Sequence, residues 1–344
     1  MRDIEYAVRL EVPDKVPVFA LGGLFNVRMC GISYSEYTHG LEKMVKCEIE
    51  AVKRFDYDWV YLNPDDYVEF EPLGIETKGE DNVPRTASEY LPASWTTLEK
   101  LGLPNPYADG RMPSFLRALT RIKNELGDSI CLTGRVAAPF SSVALLYGIK
   151  AAMVLLFRNR ELFRETADYF VQLQIEWGKA QIQAGSDAIW LGDCVASSKF
   201  ISPSQYAQFA AGPALKVSDA LKKEGAYVFY HACEDSLPHL ELMADLHPSA
   251  LSIGGGIDIE KAKETVGKRI CLLGNIDPID VLQFGNAEMV ERETRRIMEI
   301  GKKNGGYIFN SEEGFPYDVP ERNVMVMMQT AKKHCLCERR GCLR

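Results

Sequence analysis

Residues 185–194 read Gly-Ser-Asp-Ala-Ile-Trp-Leu-Gly-Asp-Cys, and residues 225–234 read Gly-Ala-Tyr-Val-Phe-Tyr-His-Ala-Cys-Glu. Each opens on a glycine suited to the left-handed cap of a preceding helix. Each continues as a short β-rich apolar run and ends in groups that bind metal or move protons. Six further runs have the strand character, at 16–20, 59–62, 130–136, 250–253, 270–276 and 307–311, and Gly305 and Gly306 again precede the last. Between the eight lie helical periodicities over 36–55, 112–126, 162–184, 204–223, 260–266, 287–303 and 321–333. Ser202-Pro203 and Asp277-Pro278 are helix starts, with proline where its missing N–H costs little.

Eight short apolar strands alternating with helices call for parallel strands covered by helices. In 344 residues they favour an α/β fold of the (β/α)8 TIM-barrel type over an open doubly wound sheet. No linker divides the chain, so residues 1–344 are expected to form a single barrel domain. The stretch 65–113, rich in Pro, Asp and Gly, reads as an irregular insertion after the second strand that caps or extends the mouth.

Composition narrows the function. Forty Lys and Arg against 48 Asp and Glu give a formal charge of −8, with no basic stripe, which excludes a nucleic-acid surface. The N-terminus has no basic segment followed by an apolar run. The most apolar window, around 144–157, is broken by Lys150 and is too short to span a membrane. Nine cysteines without an export signal are expected to be reduced thiols in a cytoplasm.

Catalytic groups of a barrel sit at the C-terminal ends of its strands. Those ends carry Asn63-Pro64-Asp65-Asp66, Asp193-Cys194, His231-Ala232-Cys233-Glu234, Asn275-Ile276-Asp277 and Asn310-Ser311-Glu312-Glu313. His231 and Cys233, two apart on a strand, point to one side. An imidazole and a thiolate suit Zn²⁺, and a catalytic zinc usually has three protein ligands. Glu313, Cys194 and Asp193 are the candidates for the third. Asp193 is either a loop cap or a carboxylate facing substrate, Asn275 either a loop residue or a substrate contact, and Asp277 a helix cap. Gly254-Gly255-Gly256 reads as a flexible loop. The cluster His334, Cys335, Cys337 and Cys342 reads as a frayed tail with a weaker metal-binding signal.

An ordered set of motifs resembles the uroporphyrinogen decarboxylase superfamily across nearly the whole chain. The set comprises Pro17-Val18, Asp65 followed by Glu71-Pro72-Leu73-Gly74, Gly134 with Pro139-Phe140, Gly185 and Asp187 leading to Asp193, Ile201-Ser202-Pro203, His231, Gly274-Asn275-Ile276-Asp277-Pro278 and Pro320-Glu321-Arg322-Asn323. The resemblance implies a (β/α)8 barrel and one of two chemistries. Decarboxylases of the family use an arginine-rich N-terminal motif to pair substrate carboxylates, work that suits guanidinium. Here the matching stretch, Phe19-Ala20-Leu21-Gly22-Gly23-Leu24, has no arginine, and the mouth is expected to be acidic and arginine-poor.

The corrinoid-dependent methyltransferase branch is marked by His-x-Cys after the fifth strand, matched by His231 and Cys233, and by a later Cys where this chain has Glu313. The resemblance therefore implies a zinc-assisted methyltransferase with His231, Cys233 and Glu313 on the metal and Asp193 and Asn275 orienting substrate. Its partner would be a separate protein carrying the corrinoid (cobalamin), since the chain lacks an Asp-x-His-x-x-Gly motif. Replacement of Cys by Glu favours a methyl ether or methylamine over a thiol as the small substrate. The alternatives are a metal-free decarboxylase-type lyase and a barrel that only binds a corrinoid or tetrapyrrole.

Overall fold

The computed structural model describes residues 1–337. Seven parallel strands follow one another around a curled sheet in chain order: β1 (Trp59–Tyr61), β4 (Cys131–Ala137), β5 (Ala188–Gly192), β6 (Tyr227–Glu234), β7 (Ala250–Ile253), β8 (Cys271–Ile276) and β9 (Tyr307–Ser311). The segment 16–20, expected as a full strand, completes the ring only through sparse contacts. Val18 bridges to Phe309, with Phe19 N–H donating to the Phe309 carbonyl at 2.8 Å and Phe309 N–H to that of Pro17 at 3.0 Å. On its other flank Asp58 N–H donates to the Val18 carbonyl at 3.1 Å. A longer ladder is blocked because Pro17 has no N–H and that of Val18 is taken by Asp58 Oδ2 at 2.8 Å. The architecture is a (β/α)8 TIM barrel.

Alternation along the strands sorts the core into two layers. Phe19, Trp59, Cys131, Ala188, Trp190, Phe229, Ala250, Cys271, Leu273 and Ile308 form one buried cluster inside the ring. Val18, Val60, Leu132, Ile189, Val228, Leu251 and Leu272 pack outward on the helices. Rings inside the barrel step toward the mouth: Phe19 on Trp59 (4.6 Å between centroids), Trp59 on Tyr61 (5.5 Å), Tyr61 on Trp190 (5.2 Å) and Trp190 on His231 (4.8 Å). The plug is thus aromatic below and ends on an imidazole.

The helix expected over 36–55 is two, Tyr34–His39 and Leu41–Phe55, parted at Gly40. A Cβ at Gly40 would lie 2.5 Å from the Glu36 carbonyl oxygen. Ser202 and Asp277 cap their helices as the sequence indicates, Asp277 Oδ1 accepting from Ile279 and Asp280 N–H at 2.7 and 2.8 Å. The apolar window near 144–157 falls across Pro139–Tyr147 and Ile149–Arg158, which meet at 113° about Gly148. Among the described residues no single helix is long and apolar enough to cross a membrane. The insertion 65–113 contains an antiparallel hairpin, β2 (Thr77–Lys78) and β3 (Thr86–Ala87), and a helix at Trp95–Lys100. Of the C-terminal cluster, His334 contacts Glu299 and Cys335 is buried, so this part is anchored, not frayed; Cys342 lies outside the described residues.

Candidate metal centre and substrate cavity

The register of β6 slips where the site begins. His231 pairs with Ser252 of β7, yet the next pair is Glu234 with Ile253. Cys233 lies inside the slip with φ +48°, a left-handed conformation that costs a non-glycine residue of order 1 kcal/mol or more. The turn brings Cys233 Sγ to 3.4 Å from His231 Nε2. His231 is buried, and Ser252 Oγ, 3.0 Å from Nδ1, fixes the ring so that Nε2 faces the mouth. Glu313, just beyond β9, places Oε1 3.0 Å from Nε2 and also contacts the Cys233 thiol. Cys194, just beyond β5, lies 4.0 Å from the same oxygen. One ligand atom from each of Cys194, His231, Cys233 and Glu313 lies within 4.8 Å of all the others. Of the three candidates for a third ligand, the structure brings two, Glu313 and Cys194, beside the His-x-Cys pair and sends Asp193 elsewhere.

Crowding shifts every protonation equilibrium. Burial would lower the pKa of His231, but the charges of Glu313 and Cys194 override it and raise it to about 10. Glu313 is held at about 2, its desolvation outweighed by His231. Cys233 donates to Cys194, which lowers the Cys194 thiol to about 6 despite burial, while Cys233 itself moves up. Two thiols and a carboxylate thus compete for one imidazole. Imidazole, thiolate and carboxylate around one point are the donors that divalent zinc takes, so the residues fit that ion.

Asp193 and Asn275, expected to orient substrate, are not among the residues that line the cavity. Asp193 is wholly buried. Its Oδ1 accepts from Ser141 Oγ (2.8 Å) and N–H (3.1 Å), and its Oδ2 from Tyr230 Oη (2.7 Å). Burial raises its pKa to about 7 against those bonds. Ser141 Oγ also accepts from Val195 N–H at 3.2 Å, so this cluster clamps the turn that presents Cys194. Asn275 Nδ2 donates to the Gly254 and Ile257 carbonyls, each at 2.8 Å, and pins the loop after β7. Both bond to groups of the fold beside the cavity.

A cavity of about 550 Å³ opens above the cluster. Tyr61, Trp190 and Tyr317 give it aromatic surface, and Asp66, Arg135, Asn82 and Arg85 polar surface. Sequence reasoning named Asp65 and Asp66 but missed the arginines of this wall. Arg135, at the mouth end of β4, pairs with Asp66 (3.1 Å) and Glu69 (3.4 Å), and Arg111 behind it pairs with Asp65 and Glu71 (each 2.8 Å). The expectation of an arginine-poor mouth is corrected: Arg135 and Arg85 both line it. The available signal was an arginine in the otherwise uncharged strand Cys131–Ala137.

A model of one protein family, described as uroporphyrinogen decarboxylase (URO-D), matches residues 2–334. The chain belongs to the uroporphyrinogen decarboxylase family. Within it, the chain is similar to proteins of two descriptions. It is 23% identical to a uroporphyrinogen decarboxylase of Geobacter sulfurreducens over 294 residues, 84% of each chain. It is 25% identical to the methylcobamide:CoM methyltransferase MtbA of Methanosarcina mazei over 333 residues, 95% of this chain and 96% of that one. A solved structure of a methyltransferase from Methanosarcina mazei superposes with a TM-score of 0.87 at 24% identity, covering 95% of this chain and 96% of that one. A B12-independent methionine synthase from Shewanella sp. W3-18-1 shares the fold at a TM-score of 0.61 and 10% identity, over 93% of this chain and 97% of that one.

Proposed function

We propose that this member of the family is a zinc-assisted methyltransferase that moves a methyl group between a small substrate and the cobalt of a corrinoid carried by a separate protein. The observation that carries the reading is the gathering of His231, Cys233, Glu313 and Cys194 at one point under a cavity, in a chain similar over almost its full length to a methylcobamide:CoM methyltransferase. His231, Cys233 and Glu313 would hold the zinc, with Cys194 beside them. When bound, zinc supplies Lewis acidity at the heteroatom that carries or receives the methyl group.

The chain's own residues do the rest. Ser252 holds His231 in one orientation, and an oriented ligand imidazole is what a metal centre requires. The left-handed turn at 233 aims the thiol at the same point. Asp193, through Ser141, holds the Cys194 turn, and Asn275 holds the loop after β7. Tyr61 and Trp190 present flat apolar surface beside the cluster, which keeps a substrate in place and water away. A carboxylate where the family's methyltransferases have a thiol makes the donor set harder, which favours a methyl ether or methylamine substrate over a thiol.

The first test is elemental analysis of purified wild type and Cys233→Ala. About one zinc per chain, lost in the variant, supports the reading. No metal in the wild type, with none taken up on adding zinc, overturns it. Two rival readings remain. A metal-free decarboxylase is favoured by the uroporphyrinogen decarboxylase relatives and opposed by the arginine-free stretch 19–24. A barrel that only binds a corrinoid or tetrapyrrole would leave methyl transfer undetectable in the wild type.

A further inference from the structure

Every arginine on the polar wall but one is matched by carboxylates. Arg135 has Asp66 and Glu69, and Arg111 has Asp65 and Glu71. Arg85 lines the same cavity, is partly buried, and has no carboxylate within 4.0 Å among the described residues. Its bonds go to neutral groups on the facing strand of its hairpin: Nε to Thr77 Oγ1 at 2.9 Å and Nη2 to the Thr77 carbonyl at 3.1 Å. The hairpin is built for this approach, since a Cβ at Gly79 would lie 3.2 Å from Arg85 Cα. Two bonds to one threonine fix the plane of the guanidinium, and Nη1 makes no hydrogen bond to the described residues. A partly desolvated charge held rigid without a counter-ion is costly unless a ligand supplies one. A planar fork of donors is the group best matched to a small oxyanion.

We infer that Arg85 is the specificity-determining residue of the cavity, and that the small substrate carries an acid group, a carboxylate or a group of like shape, which Arg85 receives while the methyl-bearing or methyl-accepting end faces His231, Cys233 and Glu313. The inference rests on reading the cavity as the substrate site. It separates the tasks of the two ends of the ligand. The hairpin of the insertion chooses the molecule by charge, and the strand ends act on its other end. Asp65 and Asp66, which also line the cavity, do not compete, because Arg111 and Arg135 already hold them.

The test is a matched pair of probes that differ in the acid group alone, 4-methoxybenzoate and 4-methoxybenzamide, titrated by calorimetry into wild type, Arg85→Ala and Arg85→Lys. The aromatic body suits the Tyr61 and Trp190 surface. The wild type is expected to bind the acid at least about tenfold more tightly than the amide, the margin of a charge-assisted hydrogen bond. Arg85→Ala should bring the two within about twofold, and Arg85→Lys should keep part of the margin by retaining charge without the fork. Equal binding in the wild type, an undiminished preference in Arg85→Ala, or no acid binding up to its solubility limit would each overturn the inference. Far-ultraviolet spectra and unfolding midpoints confirm that the variants fold. The readout needs no metal, so loss of the zinc reading leaves it standing, and its own failure leaves the zinc reading intact.

Discussion

The two walls of the cavity treat acid groups in opposite ways. On the polar wall Asp65, Asp66, Glu69 and Glu71 are held by Arg111 and Arg135, so the chain supplies its own counter-charge. On the other, Glu313, Cys194 and Cys233 crowd one histidine, and among the described residues no Lys or Arg forms an ion pair with Glu313. Pairs that balance one another are a finished piece of structure, and on this wall only Arg85 stands outside them. A wall that gathers two thiols and a carboxylate on a single histidine is built around something that arrives later, which is why the second is the candidate metal centre.

Breaking the self-balanced wall should cost the most. Arg135→Ala leaves Glu69 buried and unpaired, a loss of about 3–5 kcal/mol of stability, read from a denaturation midpoint. The same change on the other wall should act on function. Cys233→Ala is expected to lower methyl transfer by more than about 100-fold, beyond the ~10–100-fold typical of a group one step removed from a metal, while the unfolding midpoint of chelator-treated protein stays near wild type. Full activity in that variant would remove the metal from the comparison. Ser252→Ala, which frees Nδ1 of His231, should weaken zinc binding by about 10–100-fold in a chelator competition.

The smallest effect sharpens the comparison with a third kind of carboxylate. Glu48 is buried with neither an arginine nor a gathered donor set, accepting instead from Tyr37, and burial raises its pKa to about 7. A carboxyl raised in the native state contributes stability that is full below its unfolded pKa of ~4.3 and is lost as pH rises through about 7. Wild type should therefore lose more stability than Glu48→Gln between about pH 5 and pH 8. Asp193 drifts in the same window in both proteins, so the difference between them isolates Glu48. Parallel curves would show that Glu48 titrates as an exposed group does.

The fold was legible because its punctuation is local. Gly185 and Gly225 close helices, the strands that follow are short and apolar, and their ends carry the polar groups. His-x-Cys was legible for the same reason. The fate of neighbours was not. Asp193 and Cys194 are adjacent, and what turns the carboxylate inward and leaves the thiol at the cavity is Ser141, 52 residues away. Arg85 and Arg135 were invisible as a contrasting pair, because being matched or unmatched is a property of distant contacts. The helices Pro139–Tyr147 and Ile149–Arg158 went unassigned because a largely buried helix such as the first has no polar face to mark its period.

The register slip in β6 has a hereditary side. A regular strand would hold positions 231 and 233 about 6.6 Å apart along its length. Here two extra residues in β6 against β7 fold the thiol back to 3.4 Å from the imidazole. The centre is therefore written in length as well as in letters. A lineage that lost two residues from this strand could keep both codons, His and Cys, and still lose the turn that brings their ligand atoms to 3.4 Å.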